Sequence, residues 1–233
     1  MLVLPVAAMA LWWPQLGRHA AAAQAGAAGP AGSPIWRHAL AWQVTLFMGL
    51  NSFVYYVMIG WLPAILASGG YSAAEAGSLH GLMQLASAVP GLLLGPLLQR
   101  LKDQQGVALA MALLVAVGLF GLQWLPGLAS LWVACFGFGS GACIILALMF
   151  MGLRTASPRQ AAALSGMAQC VGYLLAAAGP PLVGALRDRA EGWSLPLTLC
   201  LALALAIAVL GMLAGRNRRI DDAGAGQGVR QPG

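Results

Sequence analysis

Charge is scarce in this sequence. Lys, Arg, Asp and Glu make up 8% of the 233 residues, and Asp and Glu together number six. A soluble domain carries about a quarter charged residues, so this composition cannot cover a water-exposed surface. That excludes a soluble enzyme, a nucleic-acid-binding module and a disordered chain. Metal-ligand patterning is also missing. Cys135, Cys143, Cys170 and Cys200 lie inside apolar stretches with no CxxC or Cys/His spacing, and they read as small packing residues. No metal and no cofactor is called for. What the chain has is 60% hydrophobic residues and a mean hydropathy of +0.80. It is expected to be an all-α transmembrane protein.

A helix crosses about 30 Å of hydrocarbon with about 20 apolar residues, because each rises about 1.5 Å and lipid satisfies no backbone group. Six segments meet that length, near 39–66, 74–98, 106–124, 128–153, 161–186 and 193–215. A seventh apolar run, Met1 to Trp13, is too short to span and lacks the basic residues that open a signal peptide, so it reads as the remnant of an earlier helix. Residues 14–38 are rich in Ala, Gly and Pro and read as a flexible linker, and residues 216–233 as a disordered polar tail.

Loop charge gives the orientation. Arg18, Arg37, Arg100, Lys102, Arg154, Arg159, Arg216, Arg218, Arg219 and Arg230 fall on one side of the six spans; only Arg187 and Arg189 fall on the other. That bias places linker and tail in the cytoplasm, and the net charge of +6 then reflects loop charge and not an acidic partner. Trp36 and Trp42 fall at the inner interface, and Trp61, Trp124 and Trp193 at the outer one.

The chain also resembles itself. A shift of 89 residues lays the second span on the fifth, matching Leu85 with Leu174, Ala88 with Ala177, Gly95 with Gly184 and Arg100 with Arg189. The shift pairs helices three apart. Since three is odd, the two triplets enter the membrane from opposite sides, as a 3+3 inverted repeat. The third span is apolar from Val107 to Leu122 and the sixth has only Thr198 in its centre. Those two are expected to face lipid, and the other four to line a cavity.

Polar side chains at membrane depth face the bundle interior or an aqueous path. Asn51 and Tyr55 share a face of the first span; His80, Gln84 and Ser87 form a stripe on the second; Ser165, Gln169 and Tyr173 form one on the fifth; Ser140 stands among glycines on the fourth. The same shift carries Asn51 onto Ser140, His80 onto Gln169 and Gln84 onto Tyr173. The functional reading is a substrate site for a small polar or anionic solute, built by Asn51, Tyr55, His80, Gln84, Ser140, Gln169 and Tyr173. The competing reading is interhelical hydrogen bonding at about 0.6–2 kcal/mol per contact. His80, the one ionisable group well inside a span, is either a proton-coupling group or a neutral donor to a neighbouring helix. Pro90, Gly95, Pro96, Gly179 and Pro180 interrupt the backbone ladder of the second and fifth spans and are candidate hinges.

The segment from Leu164 to Asp188, LSGMAQCVGYLLAAAGPPLVGALRD, resembles the eleventh helix of the cyanate and 2-nitroimidazole transporter family of the major facilitator superfamily. Phe47 to Leu66, FMGLNSFVYYVMIGWLPAIL, resembles that family's seventh helix, and the similarity runs from about Trp36 to Gly215. The resemblance implies the C-terminal six-helix half of a twelve-helix carrier in a bacterial inner membrane, acting on a small, often anionic solute. Residues 1–13 would end helix six, residues 14–38 would join the halves, and the partner would be a missing N-terminal half or a second six-helix unit, with lipid around both. The superfamily's loop signature Gly-x3-Asp-Arg-x-Gly-x-Arg-Arg is only partly kept: Gly95 and Arg100 match, but Gln99 replaces the acid and Lys102 the second glycine.

Two readings compete with a secondary transporter working by alternating access. One is an inactive truncated remnant or membrane scaffold. The other is an intramembrane hydrolase using Ser140. Phe138 stands where a Gly-x-Ser-Gly nucleophile motif needs glycine, and no His follows Ser140, so that reading is the weaker and no catalytic residue is assigned.

Overall fold

A computed structural model describes residues 34–98 and 103–220. The helix remnant expected at 1–13, nearly all of the 14–38 linker and most of the tail lie outside the described residues. Within them every regular element is helical: α1 (Ala39–Ser68), α2 (Ala73–Ala88), α3 (Pro90–Leu98), α4 (Gln105–Trp124), α5 (Ala129–Leu153), α6 (Pro158–Ala190) and α7 (Ser194–Ala214).

Local chemistry explains where these helices start and stop. α1 ends at a turn in which Gly70 takes φ +91°, a conformation that disfavours any side chain. Ser72 and Glu75 then form a reciprocal capping box that opens α2: the Ser72 Oγ accepts from the Glu75 N–H at 3.3 Å, and Glu75 accepts from the Ser72 N–H at 2.8 Å. Ser157 caps α6, with Pro158 at the first helical position, where its missing N–H costs nothing.

Five stretches, led by α1, α4, α5, α6 and α7, are long and apolar enough to cross a membrane. The second span is interrupted. Its two pieces have 16 and 9 residues, each too short alone and together long enough. Pro90 has no N–H for the Ala86 carbonyl, yet Val89 keeps helical dihedrals (φ −56°, ψ −43°), so the chain continues along one path through a weakened ladder. The fifth span behaves differently. α6 runs unbroken through Pro180 and Pro181 for 33 residues, beyond both ends of the stretch expected from hydropathy. The interruption expected at Gly179–Pro180 is therefore absent: Trp61 Nε1 donates to the Pro180 carbonyl at 2.9 Å, and Phe53 and Val57 of α1 pack against Gly179.

Packing displays the inverted repeat. α1 lies along α6, with Gly49 on Gly172, Val57 on Gly179 and Trp61 on Gly184; residue numbers rise together, so the two helices are parallel. α5 lies along α2 in the same manner. A Cβ on Gly137 would fall 2.3 Å from the Met83 carbonyl oxygen, and one on Gly141 2.1 Å from that of Ser87. Adding the 89-residue offset to Met83 gives Gly172, and subtracting it from Gly137 gives Met48, beside Gly49. One backbone-to-backbone contact is thus built twice. The outer helices repeat likewise: Phe136 fills the space over Gly118 of α4, and its equivalent Phe47 fills that over Gly211 of α7.

The core runs between α1, α4, α5 and α7, with Phe47, Phe136, Phe150, Met48 and Leu119 fully buried. α4 turns Leu113, Val117, Phe120 and Trp124 outward at helical spacing, and α7 turns out Leu195, Leu199, Leu205 and Val209. These uninterrupted apolar stripes suit lipid. α2 and α6 are also widely exposed, with only Ala76 and Met83 of α2 buried. The two kinds of exposed helix differ in chemistry, since α2 and α6 carry the polar stripes.

Arg154, counted above among the loop charges, is 2% exposed. Its Nε donates to the Ala214 carbonyl at 2.9 Å, and its Nη2 donates to the Gly215 carbonyl at 3.0 Å and to Gln104 Oε1. Gln104 N–H donates to Gly215 and Ile220 N–H donates back to the Arg154 carbonyl. The guanidinium also lies over the Phe150 ring, 5.2 Å from its centroid. Burial pushes its pKa down, opposed by the negative charge of Asp103. One cation thereby closes the last carbonyls of α7 and ties the ends of α4, α5 and α7 together.

Candidate functional site

The central polar contact joins the two repeats. Asn51, near the middle of α1, and Ser140, near the middle of α5, are each 2% exposed. Asn51 Nδ2 donates to the Ser140 carbonyl at 3.2 Å, and Ser140 Oγ donates to Asn51 Oδ1 at 3.0 Å. Gly139 and Gly141, on either side of Ser140, let α5 also approach its other neighbours, because a Cβ at the first would collide with α4 and one at the second with α2. Two buried polar side chains thus satisfy one another where α1 meets α5.

One turn along α1, Tyr55 reaches α2. Its Oη donates to Gln84 Oε1 at 2.6 Å and lies 3.2 Å from Ser87 Oγ, which itself donates to the Gln84 carbonyl at 2.8 Å. Tyr56 meets the Tyr55 ring edge to face at 6.0 Å. These groups border a cavity of about 160 Å³, whose wall is made by Asn51, Tyr55, Ser87, Ser140 and Tyr173 with Ser52, Tyr56 and Ile144. Tyr173, on α6, is 52% exposed and closes the far side.

Of the residues expected to form a site, Asn51, Tyr55, Ser140 and Tyr173 come together at this cavity, and Gln84 holds the Tyr55 hydroxyl from behind. His80 and Gln169 do not line it. His80 sits half-buried one turn before Gln84, and Gln169 Nε2 donates to Ser165 Oγ at 2.6 Å within its own helix. Ser52 and Tyr56 escaped the sequence reading. Their signal was present: they are four apart and adjoin the Asn51–Tyr55 pair on the same helix. Among the lining residues there is no carboxylate, Lys or Arg. Tyr55, Ser87 and Ser140 spend their protons on protein acceptors, so the cavity offers a small solute the hydroxyls of Ser52, Tyr56 and Tyr173 as donors, together with three tyrosine rings.

A bundle of apolar helices in two inverted triplets, with its polar groups gathered where they meet, defines a multi-pass membrane protein of the carrier type. Comparison with known proteins gives the family. The model of the Major Facilitator Superfamily matches residues 1–180, and the chain belongs to that superfamily. It is 55% identical to the 2-nitroimidazole transporter of Escherichia coli (strain K12) over 94% of this chain and 56% of that protein. It is 43% identical to an uncharacterized transporter of Bacillus subtilis (strain 168) over 93% of this chain and 54% of the relative. Identity to the cyanate transport protein of E. coli (strain K12) is 34%, over 64% of this chain and 38% of that protein. The chain thus spans about half the length of the first two. Its relatives are named transporters, and the enzyme reading of Ser140 falls away: its hydroxyl is spent on Asn51.

Proposed function

We propose that this chain is the C-terminal six-helix half of a secondary active transporter that moves a small, planar, anionic solute by alternating access. The observation that carries this reading is the tyrosine-lined cavity at the junction of the two repeats, bordered by Asn51, Tyr55, Ser140 and Tyr173. The hydroxyls of Ser52, Tyr56 and Tyr173 suit the oxygens of an anion, no carboxylate repels it, and the rings of Tyr55, Tyr56 and Tyr173 suit a flat molecule. The names of two relatives, a 2-nitroimidazole transporter and a cyanate transport protein, agree with a flat or linear small solute. Gln84, His80 and Gln169 form the second rank of the site. An N-terminal half, or a second six-helix unit, covers the exposed polar faces of α2 and α6. The membrane is the bacterial plasma membrane, with the tail in the cytoplasm as the loop charges direct. Pro90, Gly95 and Pro96 give the second span its joint, while Gly179 and Pro180 act as a close-packing surface within α6.

The test is cysteine accessibility together with flux. Single cysteines at Asn51, His80, Gln169 and Tyr173, in an otherwise cysteine-free carrier containing this chain and its complementary half, should react with a water-borne thiol reagent in at least one state. Labelled-anion uptake into vesicles should be blocked by modification at Tyr173. Positions sealed from water in every condition, with the parent carrier active, would overturn the proposal.

A further inference from the structure

A second cavity, larger than the one at the repeat junction, lies away from it. It is a cleft of about 530 Å³ where the first turn of α1 meets the segment after α7. Arg37, Arg216, Arg218 and Arg219 line it together with His38, so arginines from two stretches of chain far apart in sequence border one cleft; Arg219 and His38 also hold contacts of their own. Apart from Gln43, its remaining wall is apolar, with Leu40 of α1 and Leu213 of α7 leading toward the membrane-crossing part of both helices. Beside it stand two indoles. Trp36 is 63% and Trp42 42% exposed, and Trp42 Nε1 donates to the Trp36 carbonyl at 2.8 Å, which fixes the pair at the end of α1.

We infer that this cleft is a binding site for an anionic phospholipid whose headgroup carries two phosphodiester groups. Guanidinium forks match phosphate oxygens two at a time, and those of Arg37, Arg216 and Arg218 suffice to neutralise two phosphates. The position argues for a lipid over a soluble phosphate. A cleft that is cationic at its mouth and apolar along Leu40 and Leu213 accommodates a headgroup and the first carbons of its chains, and exposed indoles mark the headgroup level of a bilayer. The site stands apart from the tyrosine-lined cavity and does not depend on the transport reading. Asp221 and Asp222 follow in the sequence, outside the described residues, and the test includes them.

The experiment is native mass spectrometry of the purified full chain in detergent, titrated separately with cardiolipin, phosphatidylglycerol and phosphatidylcholine. Cardiolipin should be retained through detergent removal, phosphatidylglycerol at least fivefold less and phosphatidylcholine at background. The variant R37Q/R216Q/R218Q/R219Q should lose cardiolipin retention at least tenfold with an unchanged elution volume and helical circular dichroism, while R187Q/R189Q, at the other end of the bundle, should retain it fully. Equal retention of cardiolipin by the parent and the four-arginine variant would overturn the proposal. So would displacement of the lipid by equimolar inorganic pyrophosphate, which would assign the cleft to a soluble anion. Retention that emerges only in D221N/D222N would also overturn it, since the acidic pair would then be the cleft's own occupant.

Discussion

Asn51 and Ser140 hold one another by two hydrogen bonds, of 3.2 and 3.0 Å, across a sequence separation of 89 residues. That separation is the repeat offset itself. Each residue is therefore the other's counterpart, and counterparts touch only on the axis that relates them. The pair marks the axis of the inverted repeat, and the tyrosine-lined cavity opens beside it.

Removing either member leaves the other buried without its partner. Asn51→Ala and Ser140→Ala should each lower stability by about 1–2 kcal/mol, and the double variant should lose less than the two combined. Reversible unfolding in mixed micelles measures this. Strictly additive losses would mean that the contact contributes nothing.

Backbone approach between α2 and α5 makes a second contrast. Gly141→Ala puts a methyl group against the Ser87 carbonyl, whereas Gly81 faces open space. The first substitution should cost about 2 kcal/mol or more through forced separation of the helices, and Gly81→Ala should stay within about 0.5 kcal/mol. Thermal unfolding of the detergent-solubilised chain would separate them.

Arg154 should resist conservative exchange. Its Nε and Nη2 serve three acceptors on two other segments, a geometry that an ammonium cannot copy. Arg154→Lys and Arg154→Gln should both destabilise the bundle, by about 2–4 kcal/mol, because acceptors at the end of α7 lose a charged donor. A lysine variant as stable as the parent would show that charge alone suffices. Burial lowers the folded-state pKa of this base, so its charged form carries a penalty at every pH below that value. Stability should rise only when alkaline pH passes through the lowered pKa. Unfolding curves in the neutral range should therefore not register Arg154.

Solute affinity should follow the cavity wall and not the longer polar stripe. In a complete carrier, Tyr173→Phe removes a cavity-lining hydroxyl and should weaken solute binding about three- to tenfold, the worth of one hydrogen bond. His80→Ala should alter affinity less, since the imidazole lies outside the wall. Competition binding with a labelled anion ranks the two, and the reverse order would move the site toward His80.

How far these features could be read from the sequence depends on which force decides each. Five crossings are legible because apolar length is set by bilayer thickness, and Pro90 signals its own break because a missing N–H is a covalent fact. Pro180 and Pro181 do not break α6, where Trp61 takes up the Pro180 carbonyl and α1 packs on Gly179, and those partners lie far off in sequence. The equivalence of Asn51 and Ser140 is visible as a shift, but their contact is not, since only packing brings two counterparts onto one axis. Gln169 was expected at the site because amides at membrane depth are costly. Its own helix supplies Ser165 one turn earlier, and the cost is met there. Arg154 reads as loop charge because hydropathy ends a helix without saying what folds back over the end.

The interruption at Val89 has a mechanical meaning that the repeat alone would not suggest. Of two limbs related by pseudo-symmetry, one has its helix interrupted before Pro90, while its twin runs as one helix through Pro180 and Pro181 with α1 packed along Gly172, Gly179 and Gly184. Any bending of this half would therefore concentrate at Val89–Pro90, and it would have to draw Leu94, 4% exposed, out of the core.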